Sequence, residues 1–83
     1  MKNVTVYSTK VCPYCVQAKQ LLESLGIPYI EIFVDQDLAL RQKMEEISGR
    51  RTVPQIFIGD RHVGGYTDLK ALHEYGELQD WVK

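Results

Sequence analysis

Cys12 and Cys15 stand three positions apart, separated by Pro13 and Tyr14, and they are the only cysteines in the chain. Such a pair can supply half of a tetrahedral metal site, lie inert in a core, or cycle between dithiol and disulfide. Stapling is a poor explanation, because a bridge across so short a loop removes little chain entropy. A secreted mini-protein would usually carry four or more cysteines spread along its length. The other possible ligands, His62 and His73, are too far apart for the usual His-x₃₋₅-His half of a structural zinc site. The spacing therefore favours thiol–disulfide exchange over metal binding or inert burial.

The neighbours of the pair support that chemistry. Pro13 suits the first position of a helix, where a missing N–H costs nothing. Cys12 then falls at the helix start, where unpaired N–H groups and the helix dipole favour a thiolate. Lys10 adds positive charge nearby. Cys15 lies one turn further in, placed to attack a disulfide formed at Cys12, so Cys12 reads as the nucleophile and Cys15 as the more buried resolving thiol. A thiol whose pKa falls from ~8.5 to ~5 gains roughly thirtyfold in thiolate fraction at neutral pH. Its intrinsic nucleophilicity falls by about the same factor. Attack is hardly faster. The gain lies in departure, because a low-pKa sulfur leaves readily when a second thiol attacks.

These residues need a scaffold, and the chain offers one. Its 83 residues suffice for a single domain over 1–83, with 45% apolar residues and a formal charge of −1. That balance gives no sign of nucleic-acid or membrane binding, and no apolar run approaches the ~18 residues of a spanning helix. Met1 to Val4 leads straight into a strand-like pattern rather than a signal-peptide core, so a cytoplasmic location is expected. Val4 to Tyr7 reads as a first strand, and Ser8 to Val11 as a loop. Cys15, Ala18, Leu21, Leu22 and Leu25 repeat at helical spacing until Gly26 and Pro28 stop the helix. Tyr29 to Val34 reads as a second strand. Asp37 can cap a second helix with a buried stripe of Leu40, Met44 and Ile47, ended by Gly49. Pro54 to Ile58 and Arg61 to Gly64 form a hairpin turned by Gly59-Asp60. Thr67 or Asp68 can cap a third helix carrying Leu69, Leu72 and Tyr75, closed by Gly76. The order is β-α-β-α-β-β-α, with parallel strands across the first helix and antiparallel strands at the hairpin.

Three segments carry a resemblance: Cys12-Pro13-Tyr14-Cys15, Thr52 to Gly59, and Gly64 to Leu69. In order and spacing they resemble the signature segments of dithiol glutaredoxins, and the resemblance covers essentially the whole chain. It implies an α/β thioredoxin fold, a four-stranded mixed sheet flanked by three helices. It also implies glutathione as co-substrate, with no metal. Cys12 resembles the nucleophile that takes up glutathione as a mixed disulfide, and Tyr14 would flank the tripeptide. Pro54 resembles the family's cis-proline, and Val53 beside it would offer backbone groups to the ligand like a strand edge. Thr52, Gly65 and Tyr66 complete the implied wall. Thr67 and Asp68 would meet the γ-glutamyl end, the helix N–H groups taking a carboxylate and Asp68 the ammonium. Simple helix capping would also explain those two. Lys10 and Arg51 would receive the glycyl carboxylate, with Arg50 ranked behind them. Gly64-Gly65 suits a close backbone approach or a tight turn. Many relatives carry a cysteine where Tyr66 stands, so no extra redox role is assigned there. His62, His73, Tyr29 and Trp81 are read as hairpin surface, helix surface, core and C-terminal packing.

The activity implied is reduction of glutathionylated mixed disulfides and of protein disulfides, such as that of ribonucleotide reductase, by a monomer. Two alternatives stand beside it. One is an electron donor to ribonucleotide reductase recharged by thioredoxin reductase. The other is an iron–sulfur carrier, which in this family goes mostly with Cys-Gly-Phe-Ser and is disfavoured by Pro13.

Overall fold

In the computed structural model, which describes residues 1–83, the chain runs β1 (Val4–Ser8), α1 (Pro13–Ser24), β2 (Ile30–Phe33) and α2 (Leu38–Ser48). It continues through β3 (Gln55–Ile58), β4 (Arg61–Gly64), α3 (Tyr66–Glu74) and α4 (Leu78–Val82). The sheet order is β2-β1-β3-β4. β1 and β2 are parallel, while β1–β3 and β3–β4 are antiparallel. The parallel and antiparallel pairings agree with the order of elements, and the whole is the thioredoxin-type sheet that the resemblance implies.

Alternation along the two central strands divides the core. Val4 and Val6 of β1, with Ile56 and Ile58 of β3, face Ala18, Leu22, Leu69, Leu78 and Val82 of α1, α3 and α4. Tyr7 and Phe57, from the intervening positions, face Met44 of α2. Each fully buried aliphatic side chain contributes ~1.5–3 kcal/mol. The larger cluster therefore carries most of the stability and anchors the helix that bears both cysteines.

Local signals set most boundaries. Pro13 opens α1, Asp37 accepts the Leu40 N–H at 3.1 Å to cap α2, and Gly49 ends α2 in the left-handed region at φ 70°. Gly59 turns the hairpin at φ 59°.

Several expectations need correction. Ser8 belongs to β1 and is buried, its hydroxyl donating to Glu31 at 2.6 Å, while Lys19 pairs with the same carboxylate at 2.8 Å. Burial works to raise the Glu31 pKa, but hydrogen bonds from Lys19 and Ser8 and the Lys19 charge hold it below its usual range. α3 begins at Tyr66 and is capped by Gly65, not by Thr67 or Asp68. Tyr75 of its expected apolar stripe is 82% exposed, and Ile47 of α2 is also exposed. Ile47 lies in the last turn of α2, and Tyr75 follows Glu74 as the C-cap of α3. α4 is an additional helix that no long periodic run announces. Its Leu78 and Val82 close the larger core, and the Val82 carbonyl accepts the Lys2 N–H at 2.7 Å. Arg61 lies 3.5 Å above the Trp81 ring, tying the hairpin to this last helix. His62 is not hairpin surface: it is half-buried, its ring 4.8 Å from that of Phe57.

Candidate active site

Cys12 is the N-cap of α1, with extended backbone (φ −152°, ψ 99°). The Cys15 N–H donates to Cys12 Sγ at 3.1 Å, so the sulfur occupies the acceptor position that a capping side-chain oxygen would otherwise fill. Negative charge on that sulfur is opposed by no acidic residue in the first helical turn. Cys12 is half-buried and Cys15 is 1% exposed, and the two are joined in a disulfide with their Cα atoms 5.2 Å apart. The helix thus leaves one sulfur reachable and hides the other.

A groove of about 370 Å³ lies beside Cys12, lined along one side by Thr52, Val53 and Pro54 and along the other by Gly65 to Asp68. That volume falls within the range of small-molecule sites. Tyr14 reaches it from α1 and stacks with Tyr66, ring centroids 6.1 Å apart. Cys12 Sγ is 3.8 Å from the Val53 carbonyl oxygen, so the reactive sulfur and this wall are in contact. The Val53–Pro54 peptide is cis, and Pro54 is buried. Thr67 and Asp68 occupy the first turn of α3, whose free N–H groups favour an anion.

Asp68 is the electrostatic centre of this end. Its Oδ2 accepts the Gly65 N–H at 2.9 Å and pairs with Arg50 Nη1 at 3.0 Å. The Gly65 hydrogen bond and Arg50 outweigh burial and hold its carboxyl below the usual range, so it stays ionised throughout neutral pH. The Arg50 and Asp68 side chains are 48% and 45% exposed, so their pairing contributes only ~0–1 kcal/mol and is readily exchanged for another cation.

The structure brings together Tyr14, Thr52, Val53, Pro54, Gly65, Tyr66, Thr67 and Asp68. It does not bring Lys10 or Arg51 to the groove wall. Lys10 is exposed, and its backbone N–H donates to Asp35 at 3.2 Å. The Arg51 side chain is 88% exposed and lies 3.7 Å from Glu45 of α2. Arg50, ranked lower from sequence, lines the groove instead. The two neighbouring arginines are drawn to acidic partners on different helices, Asp68 and Glu45, and only the first partner lies at the groove.

The expected close approach at Gly64 is internal. Gly64 has φ +122°, and a Cβ there would overlap the Asp68 carboxylate. Gly64→Ala is therefore expected to lose ~2 kcal/mol of stability through backbone strain and displacement of Asp68. In a domain of this size that is a fall in melting temperature on the order of 10 °C, measurable by circular dichroism; an unchanged midpoint would contradict the geometry.

No group of three or more His, Cys, Asp or Glu side chains converges in a metal-binding arrangement. No helix is long and apolar enough to cross a membrane. The glutaredoxin family profile matches residues 4–63. A glutaredoxin of Neisseria meningitidis is 49% identical over 79 residues, covering 94% of this chain and 93% of the relative. Glutaredoxin 3 of Escherichia coli K12 is 47% identical over the full length of both chains. Among solved structures, the Brucella melitensis glutaredoxin superposes with a TM-score of 0.89 at 47% identity, covering 100% of this chain and 90% of that one. A buckwheat glutaredoxin–glutathione complex superposes with a TM-score of 0.88 at 34% identity, covering 95% and 74%.

Proposed function

The chain belongs to the glutaredoxin family of thiol–disulfide oxidoreductases, and from that premise we propose that it is a glutathione-dependent reductase whose substrate groove is the one beside Cys12. The observation that carries the reading is the groove itself: its Val53 wall touches the reactive sulfur, and its other wall carries an ionised carboxylate beside a helix N-terminus. Glutathione has a thiol near its middle, an ammonium and a carboxylate at its γ-glutamyl end, and a second carboxylate at the other. Its sulfur would sit at Cys12 and its backbone along Val53, as an added strand pairs with a sheet edge. The γ-glutamyl ammonium would displace Arg50 from Asp68, and the first turn of α3 at Thr67 would take the adjacent carboxylate. Arg50, so released, would meet carboxylate charge, with Lys10 and Arg51 adding positive potential from outside the wall.

The reaction follows from these placements. Cys12 thiolate attacks the glutathionyl sulfur of a mixed disulfide; the S–S bond breaks and the substrate leaves as a thiolate. A second glutathione thiolate then attacks the sulfur held on Cys12, releasing oxidised glutathione and regenerating Cys12. With a protein disulfide, such as that of ribonucleotide reductase, Cys12 forms the mixed disulfide and Cys15 resolves it, giving the Cys12–Cys15 bridge. Glutathione in a reducing, cytoplasmic setting returns the bridge to the dithiol, and the protein acts as a monomer in this scheme.

Trapping tests the assignment. Cys15→Ser exposed to oxidised glutathione is expected to gain one glutathione on Cys12 by intact mass. Its amide resonances should shift at Val53, Thr67 and Asp68. Absence of the adduct, or shifts confined to another face, would overturn the reading.

A further inference from the structure

Gln55 is a polar side chain at 0% exposure, on the sheet face that otherwise packs Tyr7, Phe57 and Met44. An apolar residue would fill that place without needing partners, whereas a buried amide is tolerated only when satisfied. Its Nε2 donates to the Thr52 carbonyl at 3.0 Å and to Thr52 Oγ1 at 3.2 Å, and its Oε1 lies 2.7 Å from His62 Nε2. The Thr52 carbonyl can only accept, so the amide nitrogen must face Thr52 and the oxygen must face His62. His62 must then carry a proton on Nε2. Burial and the Arg50 charge lower the His62 pKa, against Asp68, which raises it. The neutral ring with its single hydrogen on Nε2 is thereby favoured.

We propose that His62 is a positioning residue for the substrate groove, holding the Thr52–Val53–Pro54 wall in place through Gln55. The role rests on the reading of that groove as the glutathione site. His62 touches neither Cys12 nor the groove surface; it acts on Thr52, and through Thr52 on the backbone that would pair with the tripeptide. Pairing of β3 with β4 runs through the backbone at Phe57 and His62 and does not require an imidazole. The ring's tilted contact with Phe57 could be kept by another aromatic residue.

Two variants separate positioning from packing. His62→Phe keeps a ring over Phe57 and removes the donor, while His62→Gln restores an N–H at similar reach. With a glutathionylated peptide as substrate, His62→Phe is expected to raise KM about five- to tenfold with kcat within about twofold, the loss of one buried hydrogen bond. His62→Gln should return KM to within about twofold of the parent. In the parent protein, ¹⁵N spectra of the imidazole should show the Nε2–H tautomer, and His62→Phe should shift the Thr52 and Val53 amides where His62→Gln does not. An Nδ1–H ring, unshifted amides in His62→Phe, or a KM unaffected by losing the donor would overturn the positioning role. Those spectra are read without glutathione. A parent protein that binds no glutathione would instead overturn the reading of the groove.

Discussion

Cys12→Ser is expected to turn over a glutathionylated peptide no faster than buffer, at any glutathione concentration. The reaction requires a sulfur that can enter and leave a disulfide, and a hydroxyl can do neither at neutral pH. Cys15 cannot substitute, because it is 1% exposed and points into the fold beneath the helix start. Loss of activity will not reflect unfolding. Serine is among the preferred N-cap residues, and its Oγ can accept the Cys15 N–H that the sulfur accepts at 3.1 Å. The variant should therefore melt within ~1 kcal/mol of the reduced parent protein. Turnover above background, in a protein that melts normally, would show that another group attacks the substrate.

Cys15→Ser should separate the two activities. Release of glutathione from a mixed disulfide needs only Cys12 and a second glutathione, so it should persist. Reduction of a protein disulfide requires a second thiol beside the first mixed disulfide. Cys15 provides this intramolecularly, one helical turn away and already able to bridge to Cys12. Well-oriented intramolecular groups act with effective concentrations as high as ~10⁵ M or more, far above that of free thiols. The variant is therefore expected to lose at least ~10²-fold in protein-disulfide reduction. The Cys12–substrate mixed disulfide should accumulate on a non-reducing gel. Loss of both activities would contradict the division of roles, as would retention of both.

The parts of this molecule legible in the sequence are those whose causes are local. Pro13 at the first helical position, Asp37 as a cap, Gly49 as a stop and Gly59-Asp60 as a hairpin turn each depend on a few neighbouring residues. Strand alternation at Val4, Val6, Ile56 and Ile58 likewise announces which side faces the larger core. Features that depend on distant partners were harder to read. Five residues are too few for α4 to show a convincing period, and its stability comes from packing Leu78 and Val82 on the sheet. Thr67 and Asp68 resemble caps, but Gly64 and Gly65 move the helix start forward, leaving Asp68 to reach back to the Gly65 N–H. The choice between Arg50 and Arg51 turns on Asp68 and Glu45, which lie on different helices. Gln55 beside Thr52, with a histidine one hairpin later, is a pattern without meaning until the fold places all three side chains in contact.

Coupled NADPH consumption shows whether glutathione is the electron donor. Oxidised protein would be mixed with glutathione, glutathione reductase and a glutathionylated peptide, and absorbance followed with time. The expected result is rapid, protein-dependent NADPH oxidation that disappears in Cys12→Ser. No protein-dependent consumption, with full activity when thioredoxin reductase replaces glutathione and its reductase, would contradict it.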